Sequence, residues 1–161
     1  MLNAFTNYRT LKPNTSLFGI GSIKMENNLD IQIRIVYSQK RIYKDQQMKD
    51  FINVMKAVSD PNRVKILKML QNKSMCVCEM QEALQIAQPS VSKQLKLLEN
   101  CGLITSRKDG LWVNYYLTDG SSSPYAAVVL GKLKHWLDDD PEISELLRRL
   151  PEIRREEICK R

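Results

Sequence analysis

The chain has 161 residues, of which 27% are charged and 43% hydrophobic, with a formal net charge of +7 and a pI near 9.3. That length bounds it to one modest domain with an extension. The balance is that of a globular protein, and the positive excess favours a polyanionic partner, most often nucleic acid. Four cysteines (Cys76, Cys78, Cys101 and Cys159) among regular amphipathic helices do not make the framework of a stapled secreted domain. No stretch is apolar for long enough to span a bilayer. The first residues lack a basic tip followed by an apolar block, so no signal peptide and no membrane partner are expected. A reduced cytoplasm is the expected location.

Residues 1–47 differ in texture from the rest, with a net charge of +4 against +3 for residues 48–161. "LDIQIRIVYS" alternates apolar and polar residues (Leu29, Ile31, Ile33, Ile35), which predicts one strand, and one strand without a partner builds no sheet. This N-terminal extension is expected to be a disordered basic arm or to precede a true start at Met48. Residues 48–140 are expected to form the main domain and residues 141–161 a helical tail.

From Met48 the pattern is helical. Phe51, Val54, Met55 and Val58 fall at i, i+3, i+4, i+7, one apolar face. Asp60-Pro61 starts a second helix as N-cap and first helical residue, with Val64, Ile66, Leu67 and Leu70 inward. A short third helix is predicted from about Val77 to Leu84, with Val77, Met80, Ala83 and Leu84 apolar. A fourth runs from about Pro89 to Asn100, inward at Val91, Leu95 and Leu98, and ends at Gly102. "LITSRKDGLWVNYYLT" reads as a hairpin turning at Asp109-Gly110. A fifth helix presents Tyr125, Val129, Leu133, Trp136 and Leu137, and acid-proline pairs open one or two terminal helices.

A short helix leading tightly into an amphipathic one, then a basic hairpin, is the order of a winged helix-turn-helix: mainly α with a β-hairpin wing. The fourth helix would insert its N-terminal end into the major groove of double-stranded DNA. Gln88, Ser90, Ser92 and Gln94 offer donors and acceptors for base edges, while Lys93 and Lys96 reach phosphates. Arg107 and Lys108 sit on the wing beside the duplex. A solvated helical face is the bland alternative, and the order of elements weighs against it.

Taken together, "VMKAVSDPNRVKILKMLQ", "CVCEM", "QPSVSKQLKLLENCGLITSRKDGLWVNYYL" and "LKHWLDDDPEI" resemble the ArsR family (ArsR/SmtB-type) of arsenic- and metal-responsive bacterial repressors, over roughly residues 50–150. The resemblance implies a homodimer joined through its first and fifth helices. It would sit on an operator without a cofactor and leave when a metalloid or metal binds. The apolar faces of those two helices exceed what so small a domain needs inside. Two departures stand out. Ala87 replaces the serine common at the start of the reading helix, a weaker cap by about 1 kcal/mol, and Pro89 replaces a residue that can hydrogen-bond to DNA.

In the family, "CVC" followed by an acidic and an apolar residue opens the third helix and binds arsenite or antimonite through thiolates. The resemblance therefore implies Cys76 and Cys78 as the metal site. Soft thiolates select As(III), Sb(III) or other thiophilic ions over magnesium or calcium. A helix N-terminus and nearby Lys73 are expected to lower the thiol pKa. On a helix, residues two apart point nearly opposite ways, so sharing one ion is expected to deform the first turn and shift the reading helix. Relatives that supply a third cysteine place it where this chain has Gln81, which leaves Cys159, Cys101 or an external thiol as the third ligand. The single histidine, His135, argues against a histidine-acid zinc site on the fifth helix, and His135 and Asp138 read as a solvated face. The competing readings are buried hydrophobic cysteines, a redox sensor using the same thiols, and a thiol enzyme such as an arsenate reductase. Against the enzyme, there is no phosphate-cradling loop, no C-x-x-C and no strand expected before the cysteines.

Overall fold

The computed structural model describes residues 28–158. Its elements are α1 (Asn28–Ala57), α2 (Pro61–Asn72), β1 (Met75–Cys76), α3 (Val77–Leu84), α4 (Gln88–Asn100), β2 (Ile104–Asp109), β3 (Trp112–Leu117), α5 (Pro124–Leu133), α6 (Pro141–Arg149) and α7 (Arg155–Ile158), with a 3-10 turn at Leu150–Glu152. The described residues up to Ser38 belong to one unit and those from Gln39 to a second. In the first, the described residues are helical, so the strand expected at Leu29–Ile35 is not present. The reason is local. Residues 28–57 contain no glycine or proline, so nothing interrupts helix propagation, and no strand among the described residues pairs with them. Ile31, Ile33 and Ile35 stay exposed, because period-two spacing distributes side chains around a helix rather than along one face.

The second unit follows the expected order closely. Asp60 accepts the Arg63 N–H at 3.0 Å and Pro61 opens α2. Ser123 with Pro124 opens α5, and Asp140 with Pro141 opens α6, each by the same device. Gly102, at φ +68°, ends α4 in the left-handed conformation. Its N–H donates to Glu99 O at 3.0 Å and that of Leu103 to Leu98 O at 3.1 Å, the paired bonds of a Schellman motif. Buried Ile66, Leu67, Met69, Met75, Met80, Val91, Leu95, Leu98 and Leu103 fuse α2, α3, α4 and the sheet into one core. Val64 is only half-buried.

The hairpin forms with Asp109 paired to Trp112, so its two-residue turn is Gly110-Leu111, one position later than expected. Gly110 adopts φ +60°, and a glycine first in a two-residue turn suits the right-handed twist of the strands. The strand order is β1-β3-β2, both pairings antiparallel, with Cys76 opposite Asn114. The two-residue β1 was not expected from sequence, and it does lie directly before the cysteine helix. It pairs antiparallel at a sheet edge, unlike the parallel strand of a phosphate-binding βα unit.

α5 stops at Leu133, short of the Trp136 and Leu137 expected on its apolar face, and both of those are exposed. Lys68 accounts for the stop. It is 1% exposed, and its Nζ donates to Leu133 O at 3.2 Å, Trp136 O at 2.9 Å and Asp138 Oδ1 at 2.7 Å. The buried ammonium thus satisfies carbonyls at the α5 C-terminus, where positive charge is favoured. Asp138 is its counter-ion, not simply part of a solvated face.

Replacing Gly102 with alanine puts a Cβ 2.3 Å from Ser122 Oγ and forces an L-residue into the left-handed region. Gly102→Ala is expected to cost about 1–3 kcal/mol, seen as a lower urea midpoint with an unchanged slope.

Candidate metal-thiol and DNA-binding site

Cys76 is the last residue of β1 and the N-cap of α3, with extended backbone angles (φ −87°, ψ 170°). It therefore stands outside the helical repeat, and the expectation that Cys76 and Cys78 point apart as two residues of one helix does not apply. Cys76 instead forms a capping box with Glu79. The Glu79 carboxylate accepts the Cys76 N–H at 2.8 Å, and the Cys76 sulfur receives the Glu79 N–H. This is the reciprocal arrangement usually built from serine or threonine, here made by a thiol.

The electrostatics differ from the expectation of an activated thiol. Burial pushes the Cys76 thiol above its ordinary range, because an apolar surrounding disfavours the charged form. The hydrogen bond from the Glu79 N–H pulls the other way but is outweighed. The Glu79 carboxylate and Cys78 add to the upward shift. Lys73 does not offset this. Its Nζ lies 3.5 Å from Glu79 Oε1 and donates to Ile153 O at 2.7 Å, so its charge is directed to the carboxylate. Cys78, one helical position past Val77, is half-buried, and both cysteines are free thiols.

Cys101 is half-buried and donates to Asn53 O of α1 at 3.5 Å. Cys159, the other internal candidate for a third ligand, lies outside the described residues. Among the described residues, no group of three or more histidine, cysteine or acidic side chains is placed to hold a metal. The donor chemistry that the structure brings together is two sulfurs at one turn, soft and few, which fits a thiophilic ion better than a hard cation.

α3 packs against α4. On α4, Val91, Leu95 and Leu98 are buried, while Gln88, Ser90, Ser92, Lys93 and Lys96 are exposed. Lys96 also reaches Glu99 at 3.5 Å. Ala87 makes no side-chain cap, as its methyl group dictates, and Pro89 lies in the first turn. Gln94 is placed differently from its neighbours. It is half-buried, and its Oε1 accepts Arg63 Nη1 at 2.8 Å. Arg63 also donates to Ala57 O at 2.6 Å and Lys56 O at 2.7 Å. One guanidinium thus closes the end of α1 and holds α4, a link that spacing alone does not reveal. On the wing, Arg107 and Lys108 are exposed on alternate faces, and the Arg107 guanidinium lies 5.6 Å from the centre of the Tyr116 ring. None of the described helices is long and apolar enough to cross a membrane.

A core of α2, α3 and α4 carrying a two-stranded basic wing is the architecture of winged helix-turn-helix DNA-binding regulators. Comparison with known proteins gives the family. Residues 60–106 match the model described as "Bacterial regulatory protein, arsR family". The chain is 43% identical over 67 residues to an uncharacterized HTH-type transcriptional regulator of Methanocaldococcus jannaschii, covering 41% of this chain and 75% of that protein. It is 31% identical over 102 residues to the arsenical resistance operon repressor of Escherichia coli, covering 62% and 83%. Among solved structures, the homodimeric winged helix-turn-helix domain of Mb0332 from Mycobacterium bovis shares the fold, with a TM-score of 0.50 and 21% identity over 60% of this chain and 85% of that one. The protein belongs to the arsR family of bacterial transcriptional regulators.

Because the Cys76 thiol is buried and shifted upward, its alkylation by iodoacetamide at pH 7 is expected to be slower than that of Cys78, measured by peptide mass spectrometry. The linkage has a sign. The folded chain keeps the Cys76 proton where the unfolded chain loses it, so this thiol's contribution to stability falls as pH rises through the ordinary thiol range. Glu79→Gln removes a negative neighbour while its amide oxygen can still accept the Cys76 N–H, and is expected to speed Cys76 alkylation at pH 8. An unchanged rate would contradict the assigned geometry.

Proposed function

We propose that the protein is a homodimeric repressor that holds operator DNA with α4 and the wing, and releases it when As(III), Sb(III) or another thiophilic ion is taken up by Cys76 and Cys78. The observation that carries this reading is the position of Cys76: a thiol caps the helix that packs against α4. When the sulfur bonds arsenite, the Cys76 proton leaves with an arsenic-bound hydroxyl as water, and the new sulfur–arsenic bond turns the sulfur away from the Glu79 N–H. The capping box then opens, the start of α3 moves relative to β1, and the seat of α4 changes. A coupling of about 1–3 kcal/mol, or roughly 5–150-fold in operator affinity, is enough for a switch.

For DNA, exposed Gln88, Ser90 and Ser92 are suited to base edges, and Lys93, Lys96, Arg107 and Lys108 to phosphates. Gln94, tied to Arg63, acts in this reading by orienting α4 unless DNA draws it away. Homodimerisation is supported by apolar side chains left exposed on α1 and α5. Phe51 and Ile52 are 40% and 38% exposed and Val128 is 64% exposed, while the Phe51 and Tyr125 rings meet edge to face at 5.3 Å. A twofold dimer would read two half-sites about 10 base pairs, or a multiple of a turn, apart.

The test is fluorescence anisotropy on DNA from upstream of the gene. Arsenite is expected to release the wild type and to leave the Cys76→Ser, Cys78→Ser double variant bound. Release by peroxide but not by arsenite would favour the redox sensor, and release of the double variant by arsenite would remove the site. Lys93→Ala is expected to weaken binding across sequences and to reduce the salt dependence by about one ion. Unchanged operator affinity would argue that α4 is not the reading helix.

A further inference from the structure

Asn114 is the one neutral polar side chain buried among the described residues, at 6% exposure. It stands in the central strand of the sheet, opposite Cys76 on β1 and opposite Arg107 on β2. Directly opposed residues in antiparallel strands share a face, so the sensor cysteine, Asn114 and a wing arginine form one row across the sheet. The Asn114 side chain is held by the C-terminal segment: Arg155 Nη1 donates to its Oδ1 at 3.3 Å. Arg155 Nε lies 3.3 Å from Glu156. Glu79, the capping-box carboxylate, lines the same cavity as Arg155. Lys73, which pairs with Glu79, donates to Ile153 O. Lys73, Glu79, Asn114, Ile153, Arg155 and Glu156 line a polar cavity of about 240 Å³, and α7 packs on α3.

Resting on the function proposed above, we propose that Arg155 and Asn114 are positioning residues that couple the cysteine turn to the wing. The C-terminal segment is bonded at once to Lys73, next to the capping box, and to the strand that carries the wing. The capping box supplies the two-state element that coupling requires: it is closed when Cys76 holds the Glu79 N–H and open when the sulfur is taken by an ion. Opening frees the Glu79 carboxylate from the Cys76 N–H. Lys73 and Arg155 follow that charge, the Arg155 bond to Asn114 is loosened, and β3 shifts against β2 at Arg107. Release of DNA then acts on the wing through the sheet as well as on α4 through α3.

The full-length chain contains two tryptophans, Trp112 in the wing and exposed Trp136. In a Trp136→Phe background, Trp112 emission reports the wing, sulfur-to-arsenic absorbance reports arsenite uptake, and anisotropy reports operator binding. Arg155→Ala removes a partly exposed side chain and leaves the core intact, and Asn114→Ala serves as a second variant. The parent protein is expected to take up arsenite, change its Trp112 emission and lose operator affinity by about 5–150-fold. Arg155→Ala is expected to take up arsenite equally, with a blunted Trp112 response and a loss of affinity below about 3-fold. Parent-like release and emission in Arg155→Ala would overturn the coupling and leave the arsenite site standing. Loss of arsenite uptake in Arg155→Ala would also overturn it, by making Arg155 part of the ion site. A parent protein that takes up arsenite and stays on DNA would overturn the function itself.

Discussion

The exchange of hydrogen bonds between Cys76 and Glu79 is the contact on which the rest of the molecule turns. A helix start leaves N–H groups without partners, and most helices satisfy them with an oxygen. Here a sulfur and a carboxylate do so at a point where an edge strand becomes a helix, with Cys76 itself buried. Oxygen caps are indifferent to soft ions, whereas a sulfur cap is not. The same atom can close α3 or bond a thiophile, and in neutral form it is suited to closing α3. Burial, which holds the thiol above its ordinary range, therefore favours the closed box, and in the proposed function a strong sulfur bond is the means of opening it.

The surroundings of this contact are arranged so that opening it has consequences. α3 packs on α4, whose exposed face carries Ser92, Lys93 and Lys96. β1 pairs with β3, whose other neighbour carries Arg107 and Lys108. Arg63 ties the end of α1 to Gln94 on α4, so the helix expected at the dimer interface and the helix expected in the groove share one guanidinium. A small change at one turn is thereby adjacent to both surfaces that would touch DNA.

Much of this was legible in the sequence where the cause is local. Asp60-Pro61, Asp140-Pro141 and Gly102 mark helix ends through the chemistry of the residues themselves, and α3 begins and ends at Val77 and Leu84 as its apolar spacing requires. The exposed side of α4 followed from the same periodicity, apart from half-buried Gln94. What was not legible depends on partners far away in the chain. Two residues are too few to show strand periodicity, so β1 is visible only beside β3. Lys68 reads as a surface lysine until the end of α5 folds over it. Alternation at Ile31, Ile33 and Ile35 suggested a strand where an uninterrupted helix forms, because alternation without a neighbouring strand has nothing to satisfy it. The thiol pKa was misjudged for a related reason: the sequence shows the helix start and Lys73 but not the burial or the carboxylate that receives that lysine.

The most direct measurement is amide hydrogen exchange at Glu79, followed by NMR in the full-length protein with and without arsenite. The account predicts that this amide is protected in the free protein and exchanges faster once arsenite is bound, in step with loss of operator affinity. A Glu79 amide that stays equally protected while DNA is released would show that the capping box is not what the ion opens.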